Sequence, residues 1–504
     1  MQARARMHER PPDAAPASES IFSLVEAVFK EWVVDPIGAT IFFDLAFWDD
    51  GQPNETTLPA VVVWLIAGAL FFTLRFGFIN LRGFRHAIDC VRGRYTGPDE
   101  RGEITHFQAL SAALSATVGL GNIAGVAVAV GAGGPGAIFW MVVAGLLGMS
   151  SKFAECTLGQ KYRILLPAGG LVGGPMIYLR DGLREKGYPR LGLVLSVVFA
   201  VMCLGGSFGG GNMFQSNQAF AIVSTQIPWL AEQQELGAAL FGLILAGFVG
   251  LVIVGGIRRI GEVAGILVPA MCGLYLLAGA LILILHFSQI PEALGLIIGS
   301  AFSLKAGFGG LLGVLIQGFR RAAFSNEAGV GSAAIAHSAA RTEEPVREGM
   351  VSLLEPFIDT VVVCTMTGLV IVVSGAWNAP EAGEQIAMTS YAFASVFPWY
   401  PVILSITAVL FAFSTMISWS YYGEQCWGYL FGKGSVMVYK GIFLLFCWAG
   451  AVFNASSVID FGDLMILGMA FPNILGLILL SGTIRSELNR YLDKLRKGEF
   501  ALYS

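Results

Sequence analysis

Apolar runs of about 20 residues, the length a bilayer core demands of a helix, recur along this chain from residue 59 to residue 482. They fall at about 59–78, 107–130, 136–162, 191–224, 236–256, 259–287, 292–317, 347–374, 401–430, 435–454 and 460–482, and 386–399 reads as a short re-entrant or surface helix. About eleven crossings follow, so the expected fold class is an all-α polytopic membrane protein. With 55% hydrophobic and only 13% charged residues among 504, the chain is not a soluble globule. Sixty-four glycines suit a bundle in which helices pack closely and some of them break. A net charge of −4 without a basic tract gives nucleic acid no footing. Seven cysteines sit mostly in apolar runs without a CxxC, which predicts free buried thiols rather than a disulfide frame or metal site.

Charge placement orients the crossings. Arginines and lysines follow the first run (Arg82, Arg85, Arg92, Arg94, Arg101), the third (Lys161, Arg163, Arg180, Arg184), the fifth (Arg258, Arg259), the seventh (Arg320, Arg321, Arg341, Arg347), the ninth (Lys433) and the last (Arg485, Arg490, Lys494). Intervening loops such as 225–235 and 375–387 hold none. The positive-inside bias then predicts an extracytoplasmic N-terminus and a cytoplasmic tail at 483–504, in a bacterial inner membrane. Residues 1–57 form an extension, polar and Pro/Ala-rich to about residue 20 and amphipathic over 21–48, a pattern for lying on the bilayer. One extra helix at 59–78 precedes two sets of five, 107–287 and 292–482, which enter from opposite sides. Such an inverted repeat is the plan of many ion-coupled carriers.

The stretch Leu114–Gly125 singles out a site. Gly119 and Gly121, flanked by Thr117 and Asn122, allow a membrane helix to unwind at mid-depth. Unwound backbone is tolerated there only where protein buries it or a wet cavity faces it. Two readings stand: a broken helix at a binding site, or small residues for close helix packing. A second glycine-rich stretch, Ser303–Gly310 with Phe308 and Gly309, occupies the matching place in the other half. Asn212 and Gln215, and Ser414, Thr415 and Trp419 with the last two one turn apart, add polar groups inside the bilayer. They serve the site or hydrogen-bond neighbouring helices. Glu355 and Asp359, one turn apart, and Glu155 and Glu424 are candidates for coupling to protons or ions, or for ion pairs and caps. Gly205-Gly-Ser-Phe-Gly209 matches a hydrolase elbow by pattern, but it lies in a membrane run that holds no histidine.

Thr117-Val-Gly-Leu-Gly-Asn-Ile-Ala-Gly125, Gly133-Gly-Pro-Gly-Ala-Ile-Phe-Trp-Met141, Lys152-Phe-Ala-Glu155, Gly173-Gly-Pro-Met176, Phe324-Ser-Asn-Glu-Ala-Gly-Val-Gly-Ser332 and Asp359-Thr360 with Cys364-Thr365 closely resemble the alanine or glycine:cation symporter family. The likeness runs from about Leu58 to Leu480. It implies a LeuT-type fold, sodium as the co-transported ion, and small neutral amino acids such as alanine and glycine as cargo. Carried over, the substrate pocket draws on Thr117, Gly119, Gly121, Asn122, Asn212, Gln215, Phe308, Gly309, Thr415 and Trp419. The sodium site draws on carbonyls of the first broken helix, at Ala116 and Gly119, with the adjacent hydroxyls of Ser414 and Thr415. Leu120 departs from the family, which more usually has Thr there.

A zwitterion suits such a place. Half-helix N-termini offer N–H groups to the carboxylate, and unwound carbonyls accept from the ammonium. One sodium falling through 100 mV supplies about 2.3 kcal/mol. Two alternatives stay open: proton coupling through Glu355 or Asp359, and a cation channel, for which no carbonyl filter or charged ring is visible.

Overall fold

The computed structural model describes residues 30–46, 57–167, 170–303, 307–383, 385–452 and 455–503, without the side chains of residues 33, 307–308 and 455–460. The predictions for residues 1–29 therefore lie outside the described residues. The chain is helical almost throughout. A short hairpin, Ile164–Leu165 paired antiparallel with Leu171–Val172, departs from the all-helical expectation.

An N-terminal helix, α1 (Asp35–Ile41), is followed by α2 (Ala60–Arg75), the extra helix. The first repeat starts with a bent pair, α3 (His106–Thr117) and α4 (Ala124–Gly133), whose axes differ by 60°. Thr105 starts α3 with a reciprocal cap: its hydroxyl accepts from the Gln108 backbone N–H, and the Gln108 side chain accepts from the Thr105 N–H. Then come α5 (Gly136–Lys161), the amphipathic α6 (Pro175–Glu185), α7 (Pro189–Ser224), α8 (Gln234–Ile253) and α9 (Gly256–Leu285). A short α10 (Ile290–Ala301) leads to the second repeat. That repeat comprises α11 (Gly307–Asn326), α12 (Ala333–His337), α13 (Pro345–Val373), the short, half-buried α14 (Ile386–Ala394), α15 (Tyr400–Phe431), α16 (Val436–Val452), and α17 (Ala455–Gly468) with α18 (Ala470–Leu479). The tail is an amphipathic helix, α19 (Ser481–Lys497).

Among the described residues, eight helices are long and apolar enough to cross a membrane, nine with the bent pair. The expected eleven includes two that miss those limits for visible reasons. At 1.5 Å per residue, the 16 residues of α2 reach only about 24 Å against a core of about 30 Å. Two arginines interrupt α11.

The run expected at 292–317 is not one span. It divides between α10, whose Ala301 carbonyl accepts from Trp140 Nε1 of α5 at 3.1 Å, and the first half of α11. A further interruption of the helices separates α11 from α12 at Glu327–Ser332, while the break expected at Ser303–Gly310 falls in part on residues outside the described ones. Glycines alone do not fix where a helix ends. Gly309 and Gly310 continue within α11. The break at Glu327–Ser332 carries Gly329 (φ 92°) and Gly331 (φ 99°), a backbone region that glycine enters freely.

Most of the arginine-bearing loops gather at one end of the bundle. Arg163 donates to the carbonyls of Arg101, Ser338, Ala340 and Thr342, Arg347 pairs with Glu100, and Lys494 pairs with Glu344. Arg320 and Arg321 are exceptions to the loop assignment. They lie inside α11, paired with Asp463 at 3.1 and 3.5 Å, so they do not count toward a loop charge.

Candidate functional site

At the first break, Val118 (ψ 91°) and Gly119 (φ −139°, ψ −154°) are extended, and a single turn over Leu120–Asn122 leads into α4. Asn122 organises it. Its Oδ1 accepts from the Gly119 N–H at 2.8 Å, which takes that donor away from the helix ladder. Its Nδ2 donates to Asp359 Oδ1 at 2.6 Å. Neighbouring helices satisfy two freed carbonyls: Thr367 of α13 donates to Asn122 O and Thr389 of α14 to Ile123 O, each at 2.9 Å. A helix end left buried without such partners would cost heavily.

The break opens onto a small, tight hollow whose lining includes Thr117, Gly121, Gln215, Phe324, Glu327 and Trp419. Ala116, Gly119, Gly210, Thr415 and Ile466 complete it. Its donors and acceptors are left over rather than consumed. Thr415 Oγ1 and Gln215 Oε1 are buried and have no hydrogen-bond partner among the described residues. The Leu120 and Gly121 N–H groups likewise donate to no acceptor there.

Gly119 is required by distance: a Cβ would stand 2.6 Å from Thr415 Oγ1. The Trp419 wall rests on glycine as well, since a Cβ on Gly211 would come within 2.3 Å of its ring. Gly211 belongs to a π turn, Gly209–Met213, that locally widens α7. The Gln215 amide closes this turn by donating to Gly210 O at 3.0 Å, with its Oε1 at the hollow.

The sequence expectation missed Glu327. It sits in the second break with a left-handed φ of 54°, is 3% exposed, and accepts from Trp419 Nε1 at 3.1 Å and from the Ser332 hydroxyl. A bulky residue at positive φ inside a membrane protein marks strain at a site. A carboxylate two residues before the first glycine of Gly329-Val-Gly331, in a segment flanked by apolar runs, was the signal that could have pointed to it.

The structure therefore brings Thr117, Gly119, Gly121, Gln215, Thr415 and Trp419, with Ala116, to one hollow. Asn122 stands behind it as an organiser. Asn212 does not reach it: its Nδ2 donates to Phe443 O of α16 at 2.7 Å, a helix–helix bond. Gly309 is not brought there. It lies 15 residues before Phe324 in one helix, about 22 Å away at the helical rise. The side chain of Phe308, four turns from Phe324, lies outside the described residues. Ser414 turns its hydroxyl back to Phe411 O at 2.9 Å, while its carbonyl accepts from Ser115 of α3 at 2.6 Å.

The two coupling candidates have different surroundings. Glu355 pairs with Lys152 at 2.9 Å and approaches His337 at 3.6 Å, and all three are fully buried. Glu348 bridges His337 and His106 and extends this chain toward the start of α3. Asp359 instead lies in a π stretch of α13, Phe357–Cys364, and touches both breaks. It accepts from Asn122 of the first, from Ser325 beside the second at 2.9 Å, and from Thr360 at 2.7 Å.

A broken helix from each half of an inverted repeat, meeting at a small polar hollow among membrane spans, defines a secondary membrane carrier and not an enzyme. The profile of the sodium:alanine symporter family matches residues 51–503, and this chain belongs to that family. It is 41% identical over 444 residues to the sodium/alanine symporter AgcS of Methanococcus maripaludis, covering 88% of this chain and 96% of that protein. The amino-acid carrier protein AlsT of Bacillus subtilis is 30% identical over 450 residues, covering 88% and 92%. Among solved structures, MhsT in complex with L-phenylalanine matches in fold, with a TM-score of 0.53 at 14% identity over 76% of this chain and 98% of that one. The chain is thus an integral membrane amino-acid:cation symporter with a LeuT-like fold.

Proposed function

We propose that this symporter carries alanine and glycine together with sodium by alternating access, from the face of its N-terminus to the arginine-rich face. The reading rests chiefly on the unspent polar groups around the hollow, set against walls that leave room for little more than a methyl. The substrate carboxylate takes the free N–H groups of Leu120 and Gly121 at the start of α4, with the hydroxyl of Thr415. The ammonium faces Glu327 and Gln215 Oε1. Glu327 supplies a carboxylate that one cation can neutralise. Trp419, Phe324 and Ile466 reject longer side chains by clash, the stronger form of selection.

Sodium suits the oxygen set at the end of α3. Beyond Leu114, whose carbonyl accepts from Val118, the helix ladder stops, and Ala116 lines the hollow together with Thr415. Asp359, with the oxygens of Ser325 and Thr360, is a second acidic oxygen cluster that bears on both breaks. Cation binding there would link the two half-helices directly. Glu355 is the weaker coupling candidate, since Lys152 already compensates its charge. In proteoliposomes, labelled alanine should accumulate only with an inward sodium gradient. Accumulation that persists without sodium and follows an imposed pH gradient would replace sodium with the proton.

A further inference from the structure

Phe324 and Ile466 line the hollow from α11 and α17. Arg320 is one turn before Phe324, and Asp463 is three residues before Ile466, so the Arg320–Asp463 pair stands about one turn beyond the hollow, toward the N-terminal face. Arg321 joins the same carboxylate at 3.5 Å, and the Asp463 side chain is only 2% exposed. Opening the hollow toward that face requires Phe324 to part from Ile466, and this separates Arg320 and Arg321 from Asp463.

A segment beyond the family match spans the same seam. The match begins at residue 51, whereas residues 30–46 are described and packed. Ile41 is buried and reaches the position a Cβ would take on Gly468 of α17, and Gly38 faces Leu464. The Phe42 ring then lies over the Arg320 guanidinium at 4.9 Å, on α11. The segment is pinned beyond this point. Leu45 N–H donates to Leu58 O, Ala60 N–H donates to Phe43 O, and Asp44 Oδ1 accepts from the Ala46 and Leu58 N–H groups. Asp44 is bridged in this way to the residue before α2.

We propose that residues 30–46 are a built-in strap that holds the N-terminal-face gate shut, with Phe42 clamping Arg320 onto Asp463. Ile41 seats the strap on α17, Phe42 grips α11, and the Asp44 bridge keeps both in register. Arg320 Nε has no hydrogen-bond partner among the described residues, so the aromatic face and Asp463 are what hold this guanidinium. A cation–π contact of this exposure biases a two-state equilibrium about two- to five-fold. The strap therefore tunes how often the gate opens without touching the cargo. The proposal rests on the alternating-access reading above.

The test places a reporter thiol at the hollow, Ile466→Cys, in the full chain in liposomes. A membrane-impermeant methanethiosulfonate is applied from the N-terminal face. The seven native cysteines are all buried. Phe42→Ala should raise the labelling rate about two- to five-fold, Ile41→Ser should raise it as well by unseating α1, and Phe42→Trp should leave it at or below the parental rate. Asp463→Asn serves as the positive control, since it weakens the gate itself. Faster labelling in Asp463→Asn, with parental rates in both Phe42→Ala and Ile41→Ser, overturns the strap and leaves the carrier reading standing. If the reporter is not labelled from that face in any variant, Asp463→Asn included, the carrier reading fails and the strap falls with it.

Discussion

Gly119→Ala is the sharpest test of the site, because one added carbon is judged against one measured gap. The backbone at Gly119 (φ −139°, ψ −154°) suits any L-residue, so the substitution costs little in conformation and acts through space. The new Cβ would stand 2.6 Å from Thr415 Oγ1 and 3.4 Å from Gln215 Oε1, and the first contact is too short to persist. Thr415 is β-branched on a helix and has only two χ1 rotamers open to it, so its freedom to swing away is small. Overpacking of this kind costs about 1–3 kcal/mol, which at 1.4 kcal/mol per decade weakens alanine binding roughly 5- to 140-fold. Gly121→Ala is the matched control. It faces the same hollow, but its nearest neighbour is Phe324 at 3.8 Å, an ordinary contact. Adding Thr415→Ser to Gly119→Ala removes the branch, lets the hydroxyl rotate, and should restore part of the affinity. The assay is equilibrium binding of labelled alanine to purified protein at saturating sodium. Parental affinity in Gly119→Ala, or a larger loss in Gly121→Ala, would refute the placement of the cargo between the first break and Thr415.

Trp419→Ala should admit larger neutral amino acids, read as competition against labelled alanine. Trp419→Phe keeps bulk but removes the 3.1 Å donor to Glu327, and should lower affinity by about 1.5–3 kcal/mol, the range for a hydrogen bond to a charged group. Asp359→Asn should abolish or strongly right-shift the sodium dependence of uptake while the protein still folds; an unchanged sodium titration would remove Asp359 from coupling. Lys152→Met leaves Glu355 buried without its main partner and should destabilise the protein by about 3–5 kcal/mol. Thermal unfolding would show it, and the double variant with Glu355→Leu should recover most of the loss. Outside the spans, burial pushes the Cys90 thiol up to about 12, so at neutral pH it should resist maleimide in the folded protein and react once unfolded.

Much of this was legible in the residues. Leu114–Gly125 announced an unwound helix because glycines, a Thr and an Asn inside an apolar run have few other uses, and the 60° bend falls there. Thr415 and Trp419 could be placed on one face because a helix repeats every 3.6 residues, and both line the hollow. Asn212 and Gln215 show where such local rules end. Three residues apart on one helix, they diverge around a π turn, one to Phe443 and one to the hollow. The unforeseen break at Glu327–Ser332 has the same origin. Ser303–Gly310 and Glu327–Ser332 are both glycine-rich, and a local count of glycines cannot rank them.

The sequence by itself determined that this chain lives in a membrane, that its first broken helix lies within Leu114–Gly125, and which carrier family it belongs to. The first two are written in hydropathy and in short-range backbone preference, and the third in the motifs that resemble the family. Only tertiary structure decided that Glu327 faces the site, that Asp359 ties two breaks more than 200 residues apart, and that Arg320 meets Asp463 beneath Phe42. Each depends on which helices become neighbours when the two repeats close on each other. That choice is made by the packing of whole helices, and no single stretch of residues carries it.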